Sequence, residues 1–353
     1  MSDIKTPLLK QRDSWYDNAK AFLIVCVVIG HLANGSFSTV TSWILALQEF
    51  IYVFHMPAFM IITGRFAKKR VDNGDWVSVV NKVVVPYVLC QTLMLPVYTA
   101  FDSAPKNFNY FYPLFGLWYF MNIAVYTIIT THLKKIKYLF PLSFIAVAVI
   151  CFLPNALYGG FHRLVTYYPF FLFGYYTQKY DFSFCKKIPF RLLSYILFCA
   201  MGIYVLINQW DVNFEVLCLN KPFSVVAAKM EWTILETACH YVLRYILGFV
   251  SFFMVLGMVP TKRMFFTYVG ENSSYVYVIH CFLIIILRKI DGNHDILRVL
   301  TDKWRLLAYC FSGVPIAFVL ASKPIRKLFR FLVEPDFDLK RIAQRLTDTN
   351  KDK

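Results

Sequence analysis

The chain has 353 residues, 58% of them hydrophobic and 16% charged, with a mean hydropathy of +0.52. A soluble domain of this length has too little interior to hide so much apolar surface, so a soluble globular protein is excluded. The net charge of +16 comes from 37 Lys and Arg against 21 Asp and Glu; it sits in short clusters between apolar runs, where it reads as orientation signal and contact with anionic lipid, not as nucleic-acid binding.

The apolar runs are long and lack the alternating polarity of barrel strands. They predict an all-α, polytopic transmembrane bundle of ten spans, each near the ~20 residues that a ~30 Å hydrocarbon core requires. The spans run 16–34, 40–63, 77–99, 112–132, 138–154, 163–178, 190–209, 234–259, 265–287 and 305–322. Residues 1–15 form a polar tail with no A-x-A-like cleavage site after the first run, which is read as a retained signal anchor. Residues 16–325 form the membrane domain and 326–353 a basic tail containing Lys340, Arg341 and Arg345. "RFAKKR", "KKIK", "QKYDFSFCKK" and "TKR" follow spans two, four, six and eight. Every even-numbered exit is thus basic, which predicts cytoplasmic faces there and both termini inside. One loop departs from the rule: "RKIDGNHDILR", after span nine, is basic yet falls outside. The nine Cys include no C-x-x-C and lie mostly inside apolar runs, so neither a metal site nor redox chemistry is expected.

Polar residues within the spans carry the functional signal. Span one reads "YDNAKAFLIVCVVIGHLANG". Lys20 and His31 are eleven residues apart, ~16 Å and about three turns along a helix, so both face the same way. Asp17 is placed to pair with Lys20. A snorkelling Lys and a capping His would also fit this stretch, but polar groups in hydrocarbon are costly and usually have a use. Span two holds Glu49 and then "FHMPAFMIITGR". Pro57 removes a backbone donor and loosens the turn before it, which either aims His55 inward or only kinks the helix.

Span six opens on "HRLVTYYPFFLFGYY", where Arg163 and Tyr167 stand among aromatics. Such a belt suits the membrane interface and also suits a sugar ring. In span eight, Glu236, His240 and Arg244 recur every four residues; the stripe is either an internal ion ladder or a substrate-facing row. Span nine, "YVGENSSYVYVIHCF", holds Ser274 and, deeper, His280. Three His at membrane depth in separate spans predict an inward polar cavity with a proton acceptor.

Six stretches, in order over roughly residues 15 to 325, carry a family resemblance: "YDNAKAFLIVCVVIGH", "FHMPAFMIITGRF", "VVVPYVL", "LWYFMNIAVY", "RLVTYYPFFLFGYY" and "GENSSYVYVIH". The chain resembles the membrane-bound acyltransferase-3 family, especially its fucose 4-O-acetylase-like branch. Many members carry Arg ahead of an essential His in the first span, with ten residues between them; this chain has Lys20 there, before His31. The resemblance implies a ten-helix bundle in a bacterial cytoplasmic membrane and O-acylation of a sugar hydroxyl on a cell-surface glycan. The donor implied is acyl-CoA, usually acetyl-CoA, acting as co-substrate with no permanently bound cofactor. CoA phosphates would meet Lys20, Arg65, Lys68, Lys69 and Lys82 on the inner side. His31, with His55 near it, would act as base toward the sugar hydroxyl or carry the acyl group covalently. Arg163 and Tyr167 would contact the acceptor. Two other classes compete with this reading: an exporter or flippase of a polysaccharide or lipid-linked sugar, and a scaffold within the glycan-synthesis machinery.

Overall fold

The computed structural model describes residues 12–34, 42–101, 108–153, 160–208, 214–294 and 303–335. The tail residues Lys340, Arg341 and Arg345 lie outside the described residues. All regular structure among the described residues is helical.

The first helix, α1, spans Ser14–Ala33 and starts where the Asp13 side chain accepts a hydrogen bond from the Trp15 amide, an N-cap that satisfies an otherwise orphaned donor. The second, α2, spans Ser42–Asn73 with Pro57 inside it. Then come α3 (Trp76–Val79) and α4 (Val85–Ala100), joined through one π-helical stretch over Val80–Val84 into a single rod. A short 3-10 turn at Phe115–Leu117 leads into α5 (Trp118–Leu133), followed by α6 (Leu139–Phe152). Next are α7 (Phe161–Thr166) and α8 (Tyr168–Tyr176), split where Pro169 opens the second helix. They are followed by α9 (Ile188–Asn208), the short α10 (Phe214–Cys218) and α11 (Phe223–Met230), and α12 (Ile234–Met258). The chain continues through α13 (Thr267–Glu271), α14 (Ser273–His294), α15 (Lys303–Phe311), α16 (Gly313–Leu320), α17 (Lys323–Leu328) and α18 (Arg330–Val333).

The described parts of the ten predicted segments are mostly helical. Among the described residues six helices are long and apolar enough to cross a membrane: α1, α2, the α3–α4 rod, α9, α12 and α14. Shorter apolar helices are α6 and the α15–α16 pair.

The centre of the bundle is α1. Its apolar stretch is 78% buried, against 11% for α9. A helix apolar on all sides must be surrounded, and α1 is packed by α2, α12, α13, α14, α15 and α16. By contrast, α9 turns Leu192, Ile196, Ile203 and Ile207 outward, as a lipid-facing helix does. The polar N-terminal half of α1 is tied down in detail. Trp15 Nε1 donates to the Leu256 carbonyl at 2.9 Å, and Asn18 Nδ2 donates to those of Pro260 (2.8 Å) and Lys262 (2.9 Å).

Small residues set the closest approaches. At the α2–α8 crossing Gly64 faces the Phe171 carbonyl and Gly174 faces the Ile61 carbonyl, so near that a Cβ on either would overlap backbone. The reciprocal contact fixes α8, and with it the Arg163–Tyr167 segment, against the helix that carries His55.

Pro57 has a second consequence. It cannot donate to the carbonyl four residues back, so the Val53 oxygen loses its helical partner. Arg244 fills the gap: its guanidinium donates to the carbonyls of Val53 (2.6 Å), Tyr52 (3.0 Å) and Leu217 (3.1 Å). The expected stripe on α12 therefore comes apart. Glu236 is an exposed residue of a capping box with Thr233, His240 stacks on Trp232 at 4.0 Å, and only Arg244 is buried. Glu236 and Arg244 are ~12 Å apart along the helix, beyond direct pairing. Glu236 is spent on the start of α12, and Arg244 is a backbone strut.

Candidate active site

Three spaces line up along α1. The first is a basin of about 990 Å³ walled by Arg12, Asp13, Asp17, Lys20, Arg65, Lys68, Lys69 and Asp72. The second, of about 200 Å³, is lined by Lys20, Thr63, Arg70, Lys82, Ser273 and Ser274 among apolar side chains. The third, also about 200 Å³, holds His31, Asn34, Tyr52, His55, Trp118, Arg163, Tyr167 and Arg288. Lys20 lines both the basin and the second space. Val27, Met56 and Tyr277 line both the second and the third. We call the second the lysine chamber and the third the histidine chamber.

Lys20 is held as the sequence suggested. Its Nζ lies 2.6 Å from Asp17 Oδ1, and Arg12 Nε reaches Asp17 Oδ2 at 2.7 Å. Asp17 is buried, so two cations share one carboxylate at the basin floor. The turn is locked from outside by Gly270, whose Cα packs directly on the Asp17 carbonyl. Arg65 differs from expectation. Its guanidinium donates to the carbonyls of Thr177 (2.7 Å) and Tyr180 and lies between the rings of Tyr16 and Phe182, each at 5.1 Å. It walls the basin, but part of its fork is spent on the α8 end. Lys68 pairs with Asp72 at 2.9 Å.

At the other end, His31 and His55 share one chamber, and His280 backs it. The His280 ring lies 5.2 Å from that of His31, edge to face. His55 Nδ1 is 2.7 Å from the Ile51 carbonyl, and His280 Nδ1 is 2.9 Å from that of Val276. A carbonyl only accepts, so each Nδ1 carries the proton and each Nε2 keeps its lone pair. His31 is different: its Nδ1 is buried without a partner. The His31 ring lines the chamber, and a ring nitrogen that no hydrogen bond engages is what a proton acceptor needs.

The surroundings of His31 are built from aromatics. Phe115 lies 4.9 Å from it, edge to face, and Tyr52 lies 6.4 Å away. Phe115 holds a left-handed backbone, φ +46°. That conformation costs a non-glycine residue about 1–2 kcal/mol, and here it brings the ring against both His31 and the Arg288 guanidinium (5.0 Å). Arg288 also donates to the His31 carbonyl at 3.0 Å. Across the chamber Arg163 stacks on Trp118 at 5.1 Å, and Trp118 lies 5.1 Å from Tyr167.

So the structure brings Lys20, Lys82 and Ser274 into one chamber, and His31, His55, Arg163 and Tyr167 into the next, with His280 behind. Glu49 is buried on α2 but lines none of the three spaces. Sequence reasoning missed Arg70, Trp118, Tyr277 and Arg288. The signal for Arg288 was there: it belongs to the one basic loop that broke the charge rule, and its side chain turns into the chamber.

Comparison with known proteins gives the family. A family model described as an acyltransferase domain, of the acyltransferase-3 type, matches residues 13–322. A stretch of 80 residues is 32% identical to the nodulation protein NolL of Sinorhizobium fredii; it covers 22% of this chain and 22% of that protein. No solved structure matches.

Proposed function

Because the chain belongs to the acyltransferase-3 family, and is accordingly a membrane acyltransferase, we propose that it moves an acetyl group from cytosolic acetyl-CoA to a sugar hydroxyl of an extracytoplasmic glycan, as in the fucose 4-O-acetylase-like branch. The observation that carries the reading is the row of three spaces along α1, from a cation-walled basin to a chamber lined by a histidine whose Nδ1 has no hydrogen-bond partner.

The chemistry follows the row. The basin offers five cations against three carboxylates, a fit for the phosphates and nucleotide of CoA. The pantetheine arm passes Lys20 into the lysine chamber, with Arg70 and Lys82 beside it, and the thioester reaches the Val27–Met56–Tyr277 junction. In the histidine chamber the acceptor sugar rests on Trp118 and Tyr167. The His31 ring takes the proton of the attacking hydroxyl, the sugar oxygen bonds to the thioester carbon, and the carbon–sulfur bond breaks. The CoA thiolate then takes the proton back from His31 and leaves as the thiol. His55 is a second acceptor within the chamber.

This reading sets the membrane arrangement: ten spans, both termini cytoplasmic, the Lys20 end of α1 on the cytosolic side of a bacterial cell membrane. A reporter fused after Lys353 should behave as cytosolic and one inserted between 219 and 222 as external; the reverse would put the donor on the wrong side.

The activity itself is tested on surface glycan from cells lacking the protein. The polymer should be made in normal amount and lack its ester. Loss of the polymer would instead support an exporter, and an unchanged ester would remove the acyltransferase reading.

A further inference from the structure

We propose that the histidine chamber takes an anionic acceptor, a sugar bearing or linked through a carboxylate or phosphate group that is held by Arg163 and Arg288. This rests on the acyltransferase reading for the word acceptor, but the charge argument stands on the chamber itself.

The argument begins with how this protein treats its other interior arginines. Arg244 is buried and spends its fork on three backbone carbonyls. Arg65 spends its own on two carbonyls and two aromatic faces. Arg244 is a strut, and Arg65 is anchored to fixed carbonyl dipoles where it walls the basin. Arg163 and Arg288 are built otherwise. Each lies over one aromatic ring, Trp118 or Phe115, which supports the guanidinium without accepting a conventional hydrogen bond from its fork. In each the Nε is buried with no partner. Among the described residues Arg288 gives one hydrogen bond, to the His31 carbonyl. Both line the same space of about 200 Å³, and among the described residues no Asp or Glu lines it.

Two guanidiniums in one small chamber repel each other, and desolvating them unpaired is costly. An oxyanion with two acceptor oxygens removes both costs, because the planar fork matches carboxylate and phosphate. The location adds a consequence for selectivity. Phe115 touches both Arg288 and His31, so an anion on Arg288 is held one ring-width from the base. The hydroxyl acylated is then one close to the anionic group.

The test is calorimetric binding to the purified full-length protein in neutral detergent, with four probes: glucuronic acid, glucose 1-phosphate, glycerol 3-phosphate and glucose. The two charged sugars should bind roughly tenfold or more tighter than glucose, since charge-assisted bonds replace neutral ones. Arg288→Gln and Arg163→Gln should each shrink that preference, and Arg288→Lys should keep part of it because the charge stays while the fork is lost. If glucuronic acid leads, the anion is a sugar carboxylate; if glucose 1-phosphate leads, it is a phosphate linkage. Glycerol 3-phosphate binding as tightly as glucose 1-phosphate would mean a lipid headgroup is read without sugar, and would overturn the proposal. So would equal binding of glucose, or a preference that survives both Gln variants. Acetyl transfer from acetyl-CoA, measured on the same samples, reads the acyltransferase assignment separately.

Discussion

Replacing His31 by Ala should abolish acetyl transfer at every acetyl-CoA concentration, while replacing Lys20 by Ala should mainly raise the donor KM. A positioned base is worth about 10²–10⁴ in rate, and no concentration of donor restores a missing proton acceptor. His31→Gln should not rescue, because an amide accepts a hydrogen bond but does not take the proton. Lys20 is at the threshold between basin and lysine chamber, ~16 Å from His31 along α1, so its loss weakens donor binding and leaves the reacting atoms in place. Asp17 keeps Arg12 as partner in that variant, which limits the cost to folding. Lys20→Arg keeps the charge and should be tolerated. Initial rates over a range of acetyl-CoA, on purified variants, separate the two outcomes. Near-normal kcat in His31→Ala would sink the base assignment. A fall in kcat at saturating donor in Lys20→Ala would mean that Lys20 acts on the chemistry and not on CoA.

Sequence made the phase along a single helix legible. Eleven residues on one helix put Lys20 and His31 on one side, and an i,i+3 spacing put Asp17 on Lys20; both hold in the structure. What sequence does not hold is the identity of the neighbour. Glu236, His240 and Arg244 have perfect helical spacing, yet one caps a helix end, one stacks on Trp232 and one fills the carbonyl that Pro57 leaves open on α2. Nothing in α12 alone announces that its Arg belongs to a proline far earlier in the chain, Pro57 on α2. Arg70 and Arg288 were hidden for a different reason. Each lies within a basic cluster, and charge near a span end is explained by membrane orientation before any site is considered. Only packing distinguishes the arginine that faces a chamber from the lysines beside it.

The junction between the chambers gives the second large expected effect. Val27 lies one turn before His31 on α1 and is buried, and with Met56 and Tyr277 it lines both chambers. If the thioester passes there, Val27→Phe should close the route: transfer should fall roughly 10²-fold or more, since even about 1 Å of misplacement costs that much. Acetyl-CoA binding, set in the basin and around Lys20, should change little. The neighbours decide whether the extra ring can be absorbed. Met56 is flexible and can give way. Tyr277 cannot readily do so, because its hydroxyl is bonded to the Gly116 carbonyl and its ring is packed by Tyr119 at 5.2 Å and Phe120 at 5.0 Å. Val27→Ala is the opposite probe: it widens the junction, should keep transfer, and should raise hydrolysis of the thioester by letting water through. Calorimetric acetyl-CoA affinity and transfer rate, measured together on both variants, check this. A Val27→Phe protein that binds donor and transfers at the wild-type rate would show that the acyl group reaches His31 by another path, and the row of spaces along α1 would then be packing and not a route.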